Sequence, residues 1–143
     1  MTLNFKKYAE KAERMVEELA IQLGIPDRRD TAGRILRSVL HALRNRISLE
    51  ESFQLMAQLP MALKSVYVEG WRPSKQQKTV RTIPGFIKEV MKEDGKPGRH
   101  DFSTLKDGEN AIRAVFKVLE NHVSEGEINH IRNAMPEELK DLW

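Results

Sequence analysis

The chain has no cysteine. Disulfides, thiolate metal sites and cysteine nucleophiles are therefore excluded, and the absence agrees with a reducing compartment. Long apolar runs are also missing. None approaches the ~20 residues that a membrane-spanning helix needs. The opening stretch MTLNFKKYAEKAERMVEELA alternates charge with apolar residues. It has neither the unbroken apolar centre nor the cleavage site of a secretory leader, so it reads as a mature helix of a cytoplasmic protein. No serine sits in a nucleophile elbow.

What is present suits a helical protein. At 143 residues the chain fits one domain, or two small halves sharing a core. A chain of this size buries about 68–70% of its unfolded surface without staples. The net charge of +3 divides unevenly, with +7 in residues 1–99 and −4 in residues 100–143. Such a split suits an anionic partner, or contact between the two parts or between two copies.

Helix signals punctuate the whole length. Phe5, Tyr8, Ala12, Met15, Val16, Leu19 and Leu23 keep the spacing of one helix face. Gly24 and Pro26 then stop that helix. A second helix is expected over about Thr31–Arg46, with Ile35, Leu36, Val39, Leu40, Leu43 and Ile47 as its apolar side. SLEE, at 48–51, and SEGE, at 124–127, are both capping boxes. Pro60 and Pro136 each open a short further helix.

These signals recur at a fixed distance. Shifting Thr31–Tyr67 by 76 positions aligns it with Asp107–Trp143 without a gap, and nine of 37 pairs are identical. Chance would give about two, so the periodicity reads as an internal repeat. The preceding helices, Phe5–Leu23 and Ile83–Lys92, match only loosely. The expectation is an all-α bundle of about seven to eight helices forming a single domain over 1–143. Its pseudo-repeat units are 1–70 and 82–143, joined by a basic linker at 71–81. Trp143 takes the place of Tyr67 in this scheme, and both are expected to close a small core.

The stretches AQLPMALKSVYVEGWRP and AIRAVFKVLENHVSEGEINHIRNAMPEELKDLW together resemble a bacterial family catalogued as domain of unknown function twenty-two sixty-seven. The resemblance covers nearly the whole chain and implies an all-helical fold with duplicated halves. It implies no activity and no catalytic residues.

Three constellations remain to be weighed on their residues. Glu127 and His130 form a Glu-x-x-His pair as in di-iron bundles, but the paired positions are Glu51 and Gln54, so the ligand set is incomplete. No metal or other cofactor is assigned. His41, His100, His122 and His130 stand in different contexts; His41 falls on the polar side of its helix, and no catalytic role is assigned to any of them. The third constellation is GWRPSKQQKTVR, at 70–81, which carries Trp71, Arg72, Lys75, Lys78 and Arg81 with no acid among them. Basic residues neutralise phosphates and an indole can stack on bases. The structural alternative is a solvated linker with Trp71 folded back as a plug. A row of Arg34, Arg37, His41 and Arg44 lies opposite the apolar face of its helix, with counterparts Asn110, Arg113, Lys117 and Glu120. The leading expectation is a non-enzymatic interaction module that binds a protein partner or a second copy. The alternative is nucleic-acid binding through the basic first unit and the Trp71–Arg81 segment.

Overall fold

A computed structural model describes residues 3–75, 80–95 and 98–143, except for the side chains of residues 75, 98 and 99. Among these residues the chain forms eight α-helices and no strand. They are α1 (Phe5–Gln22), α2 (Arg29–Arg46), α3 (Leu49–Gln58), α4 (Met61–Val68), α5 (Ile83–Asp94), α6 (Gly98–Asp101), α7 (Leu105–His122) and α8 (Glu125–Ala134). Short 3-10 helices occupy Pro73–Lys75 and Glu137–Leu142. No helix is long and apolar enough to cross a membrane, among the described residues.

The helix boundaries follow local chemistry. Asn4, Ser48, Thr82, Thr104 and Ser124 each place a side-chain oxygen on an orphan N–H of the first turn. Gly24 and Gly95 take φ of 76° and 71°, where a Cβ would be strained, and so end α1 and α5. One cap departs from the box read in the sequence. The Ser124 N–H donates to Gln58 Oε1 at 2.6 Å, so the reciprocal bond comes from α3 rather than from Glu127.

One core runs through the whole bundle. α2 lies at its centre, packed on α1, α4 and α5, while α7 packs on α5, α1 and the final 3-10 helix. α2 also touches α7, and α3 touches α8. Gly108 lets α7 approach α5 closely, because a Cβ there would meet Ile87 Cγ2 at 2.6 Å.

The same spacing governs both elements and contacts. α2 and α7 begin and end 76 positions apart, as do α3 and α8. Upstream the spacing is 71, which relates Gly24 to Gly95 and the core positions Met15 and Leu19 to Phe86 and Val90. The five extra residues fall between Gly95 and Leu105, where α6 forms. Polar contacts obey the exchange as well. Asn45 on α2 donates to Glu89 on α5 at 3.1 Å, and Asn121 on α7 donates to Glu18 on α1 at 2.6 Å. Asn121 lies 76 positions beyond Asn45, and Glu89 lies 71 beyond Glu18.

The aromatic ends of the two stretches are seated differently. Tyr67 is fully buried, with its hydroxyl 2.6 Å from Ser52 Oγ. Trp143 is half-buried and stacks on Phe116, with ring centroids 3.8 Å apart.

Candidate functional site

Trp71 packs inward. Its ring meets Tyr67 and Phe53 edge-on, at centroid distances of 5.7 and 6.0 Å, and it is half-buried against the core. Arg72 and Arg81 are exposed at the two ends of the segment. Lys78, and the side chain of Lys75, lie outside the described residues. Arg81 also stands near Arg46, whose guanidinium pKa is lowered by burial first and by the Arg81 charge second.

The basic row on α2 is not the solvated face that its spacing suggests. His41 is 3% exposed and Arg44 6%. The reason is tertiary: α4 ends against this side of α2, and its terminal carbonyls need donors. Arg44 Nη1 donates to the carbonyls of Tyr67 and Glu69 at 2.5 and 2.7 Å, and His41 Nε2 lies 2.7 Å from the Val66 carbonyl. Arg37 donates to the Glu69 carboxylate at 2.8 Å. Cations at a helix C-terminus also oppose its negative dipole end. The row therefore caps α4. Burial, outweighing the Val66 contact that acts the other way, holds the His41 imidazole below its usual pKa, which favours the neutral ring.

Arg34, at the other end of the row, clamps Asp101 of α6 with two bonds of 2.9 Å. Asp94, at the end of α5, accepts from Ser38 at 3.3 Å and lies near the Asp101 carboxylate, while its other oxygen is buried without a hydrogen-bond partner. Burial foremost, and then the Asp101 charge, pushes the Asp94 carboxyl up to about 6. Asp101 moves the opposite way because Arg34 and Asp94 both donate to it. The Arg34 guanidinium answers the Asp101 charge. This cluster fastens the inserted α6 to α2. A polar cleft of about 240 Å³ lies alongside, between Arg28, Thr31, His100 and Asn110.

The other histidines are exposed. His122 Nε2 sits 2.6 Å from Glu18 Oε2, which fixes it across α7 and α1. Glu127 is 7% exposed, and burial raises its pKa against the opposing effect of the neighbouring His130. Among the described residues no three histidine or carboxylate groups converge as a metal site.

The apolar surface is more informative. A groove of about 310 Å³ opens between α1, α2 and α4, walled by Ala9, Ala12, Val16, Gly33, Leu36, Ala62, Leu63 and Val66. Glu13 and Arg37 are its charged members. The positions related by 71 and 76 explain the hollow. Opposite Ala9, Ala12 and Val16 the second half has Val80, Ile83 and Ile87; opposite Gly33, Ala62 and Val66 it has Glu109, Glu138 and Leu142. Every one of these six is larger. Val80 and Ile83 pack against the core there, and the Ile83 N–H donates to Glu138 at 3.0 Å. The groove thus exists where the first half is made of smaller side chains. A helix face laid into it would meet backbone at close range.

The first turns of α1 extend this apolar line into solvent. The apolar face read in the sequence begins at Phe5 and Tyr8, and here Phe5 is 71% exposed and Tyr8 39%. α5 starts at the position matching Ala12, so these two turns of α1 have no counterpart in the second half and no helix to cover them. The signal was present as alanine and glycine at core-facing positions. It becomes readable only once the halves are aligned at both spacings.

A model of the family described as "Uncharacterized conserved protein (DUF2267)" matches residues 12–142. The chain belongs to that family. No curated protein matches it.

Proposed function

We propose that this member of the DUF2267 family is a non-enzymatic interaction module. It is read as one helical unit and its altered copy, with the α1–α2–α4 groove receiving the apolar face of a partner helix. The observation that carries the reading is the small size of the side chains along one groove. Of its ten lining positions, six are smaller than their counterparts, Leu36, Arg37 and Leu63 are matched in size, and Glu13 stands opposite the smaller Pro84. A hollow left in an apolar surface forgoes dispersion contacts and exposes apolar area. Burying one large side chain in it would contribute about 1.5–3 kcal/mol.

The polar groups support the same reading by their occupation. His41 and Arg44 cap α4, Arg34 clamps Asp101, and His122 ties to Glu18. No catalytic residue or cofactor enters the proposal.

The test is a titration of isotope-labelled protein with a synthetic amphipathic helix bearing leucines at i, i+3, i+4 and i+7. Saturable shifts should appear in the methyl signals of Ala9, Ala12, Leu63 and Val66. Signals unmoved at peptide excess, or shifts spread over the whole surface, would refute the groove as a receptor.

The nucleic-acid alternative rests on the exposed Arg72 and Arg81, because Arg34, Arg37 and Arg44 of α2 bond to partners within the chain. Its signature would be affinity falling steeply with salt, by about 0.9 per phosphate contact on logarithmic axes. Under the module reading, duplex DNA should bind weakly and the Arg72→Ala/Arg81→Ala variant should behave as the parent.

A further inference from the structure

We infer that a pocket between α7, α8 and Trp143 binds a free aromatic amino acid. It shares no residue with the α1–α2–α4 groove and does not rest on the reading of that groove as a receptor.

The pocket has a volume of about 380 Å³, inside the range of small-ligand sites, roughly 300–1,000 Å³. Glu120 of α7, Glu125, Ile128, Asn129 and Arg132 of α8, and Trp143 line it. Ile128 and Trp143 supply the apolar surface, while the other four are polar and exposed. None of those four side chains bonds to another described residue, so all are free to meet a ligand.

The repeat shows what such a place accepts. Each lining residue has a counterpart 76 positions earlier, and those of Asn129 and Trp143 are Phe53 and Tyr67. These are the two rings that meet the indole of Trp71 edge-on, at 6.0 and 5.7 Å. The first stretch therefore seats an indole against positions whose copies line the pocket. Asn129 is smaller than Phe53 and leaves more room. Phe116 covers one face of the Trp143 ring, and the rest of that ring remains for an aromatic ligand to stack on or meet edge-on.

Charge selects the remainder of the ligand. In the first stretch Arg44 donates to the Tyr67 and Glu69 carbonyls, on the segment that leads to Trp71. Its counterpart is Glu120, so a donor is replaced by an acceptor. Glu120 and Glu125 together suit an ammonium group, as a neutral ring would leave them unanswered. Arg132, the counterpart of Met56, suits a carboxylate, which a guanidinium can hold with two parallel bonds. An aromatic α-amino acid carries the ring, the ammonium and the carboxylate together. Its charged anchors are exposed, so the affinity should be modest, with Kd on the order of 0.1–1 mM.

Titration of the isotope-labelled full chain with L-tryptophan tests the inference. Saturable shifts should appear at the Asn129 side-chain amide, the Ile128 methyls and the Trp143 indole N–H. The Trp71 indole N–H and the groove methyls of Ala9 and Val66 should stay still. Tryptamine lacks the carboxylate and indole-3-propionate lacks the ammonium; each should bind about threefold more weakly or worse, as loss of one partly exposed ion pair predicts. Asn129→Phe copies the ring of the first stretch into the pocket and should abolish binding. Glu120→Arg should weaken it about tenfold by setting like charges together. Both positions are exposed, so both variants should melt as the parent does. The inference is overturned by the absence of saturable shifts up to roughly 10 mM tryptophan. It is equally overturned by either truncated compound binding as tightly as tryptophan, or by binding indifferent to Asn129→Phe.

Discussion

Asp94 and Asp101 illustrate how a single side chain can make stability depend on pH. The Asp94 carboxyl titrates near 3.8 in an ordinary setting and at about 6 in the fold. A raised pKa means that its contribution is fully present below 3.8 and is lost as pH rises through about 6. Asp101 runs the other way: its contribution is present above its ordinary value and lost on acidification, because Arg34 favours the charged form. Replacing Asp94 with asparagine keeps the neutral shape and removes only the first effect. Asp94→Asn should stabilise the protein at pH 8 by about 1 kcal/mol, the full shift being discounted because the pair is partly solvated. At pH 4 the two proteins should unfold alike. Denaturant titrations at both pH values decide this, and equal stability at pH 8 would contradict the raised Asp94 pKa. None of this was visible in the sequence, where Asp94 and Asp101 are two acids among many. Their environment is made by Arg34 and Ser38, more than fifty residues away. His41 and Arg44 were hidden for the same reason, since helical periodicity reports a face but not which helix end will arrive against it.

Among the elements, the caps were the most legible features because their chemistry is local. Ser48 and Ser124 sit where the capping boxes place them, each accepting from the N–H three residues on, at 3.1 and 3.2 Å. They are nonetheless unequal. Ser124 Oγ also accepts from the side-chain amide of Gln58, whose oxygen takes the Ser124 N–H. No cap propensity foretells that bond, because it depends on α3 meeting α8. Ser48→Ala should cost about 1 kcal/mol through the lost cap. Ser124→Ala should cost more, about 1.5–2 kcal/mol, because the Gln58 amide loses an acceptor as well. Thermal unfolding of the two variants side by side measures the difference; a larger loss at Ser48 would show that the α3–α8 contact carries no weight. α6 stands at the other extreme. It is a short helix inside an insertion, without periodicity of its own, and tertiary contacts from Arg34 hold it in place.

At the scale of the molecule, two sets of helices share one core, and paired contacts relate them, as Asn45 with Glu89 and Asn121 with Glu18 do. The all-helical class and the 76-position spacing were readable because apolar periodicity and caps survive in both stretches. The change of spacing to 71 was not, because few identities mark α1 and α5 and the glycines that end them reveal it only through their backbone angles. That change decides which positions of the two stretches are compared. Function in this account lies in the difference between the halves rather than in their likeness. The exposed start of α1 and the groove beside it lie along one helix. The matching positions of the other stretch carry Val80, Ile83, Ile87 and Leu142 together with Glu109 and Glu138. Stability and binding should therefore oppose one another at the groove: side chains copied from the second half would improve packing and remove the receptor.

The most direct measurement is binding and melting of the Ala12→Ile/Val16→Ile variant, which installs in α1 the residues found at Ile83 and Ile87. The account predicts a melting temperature equal to or above that of the parent, together with at least a tenfold loss of affinity for the synthetic helix. A variant that melts as predicted and still binds with parental affinity would show that the hollow is only a packing defect.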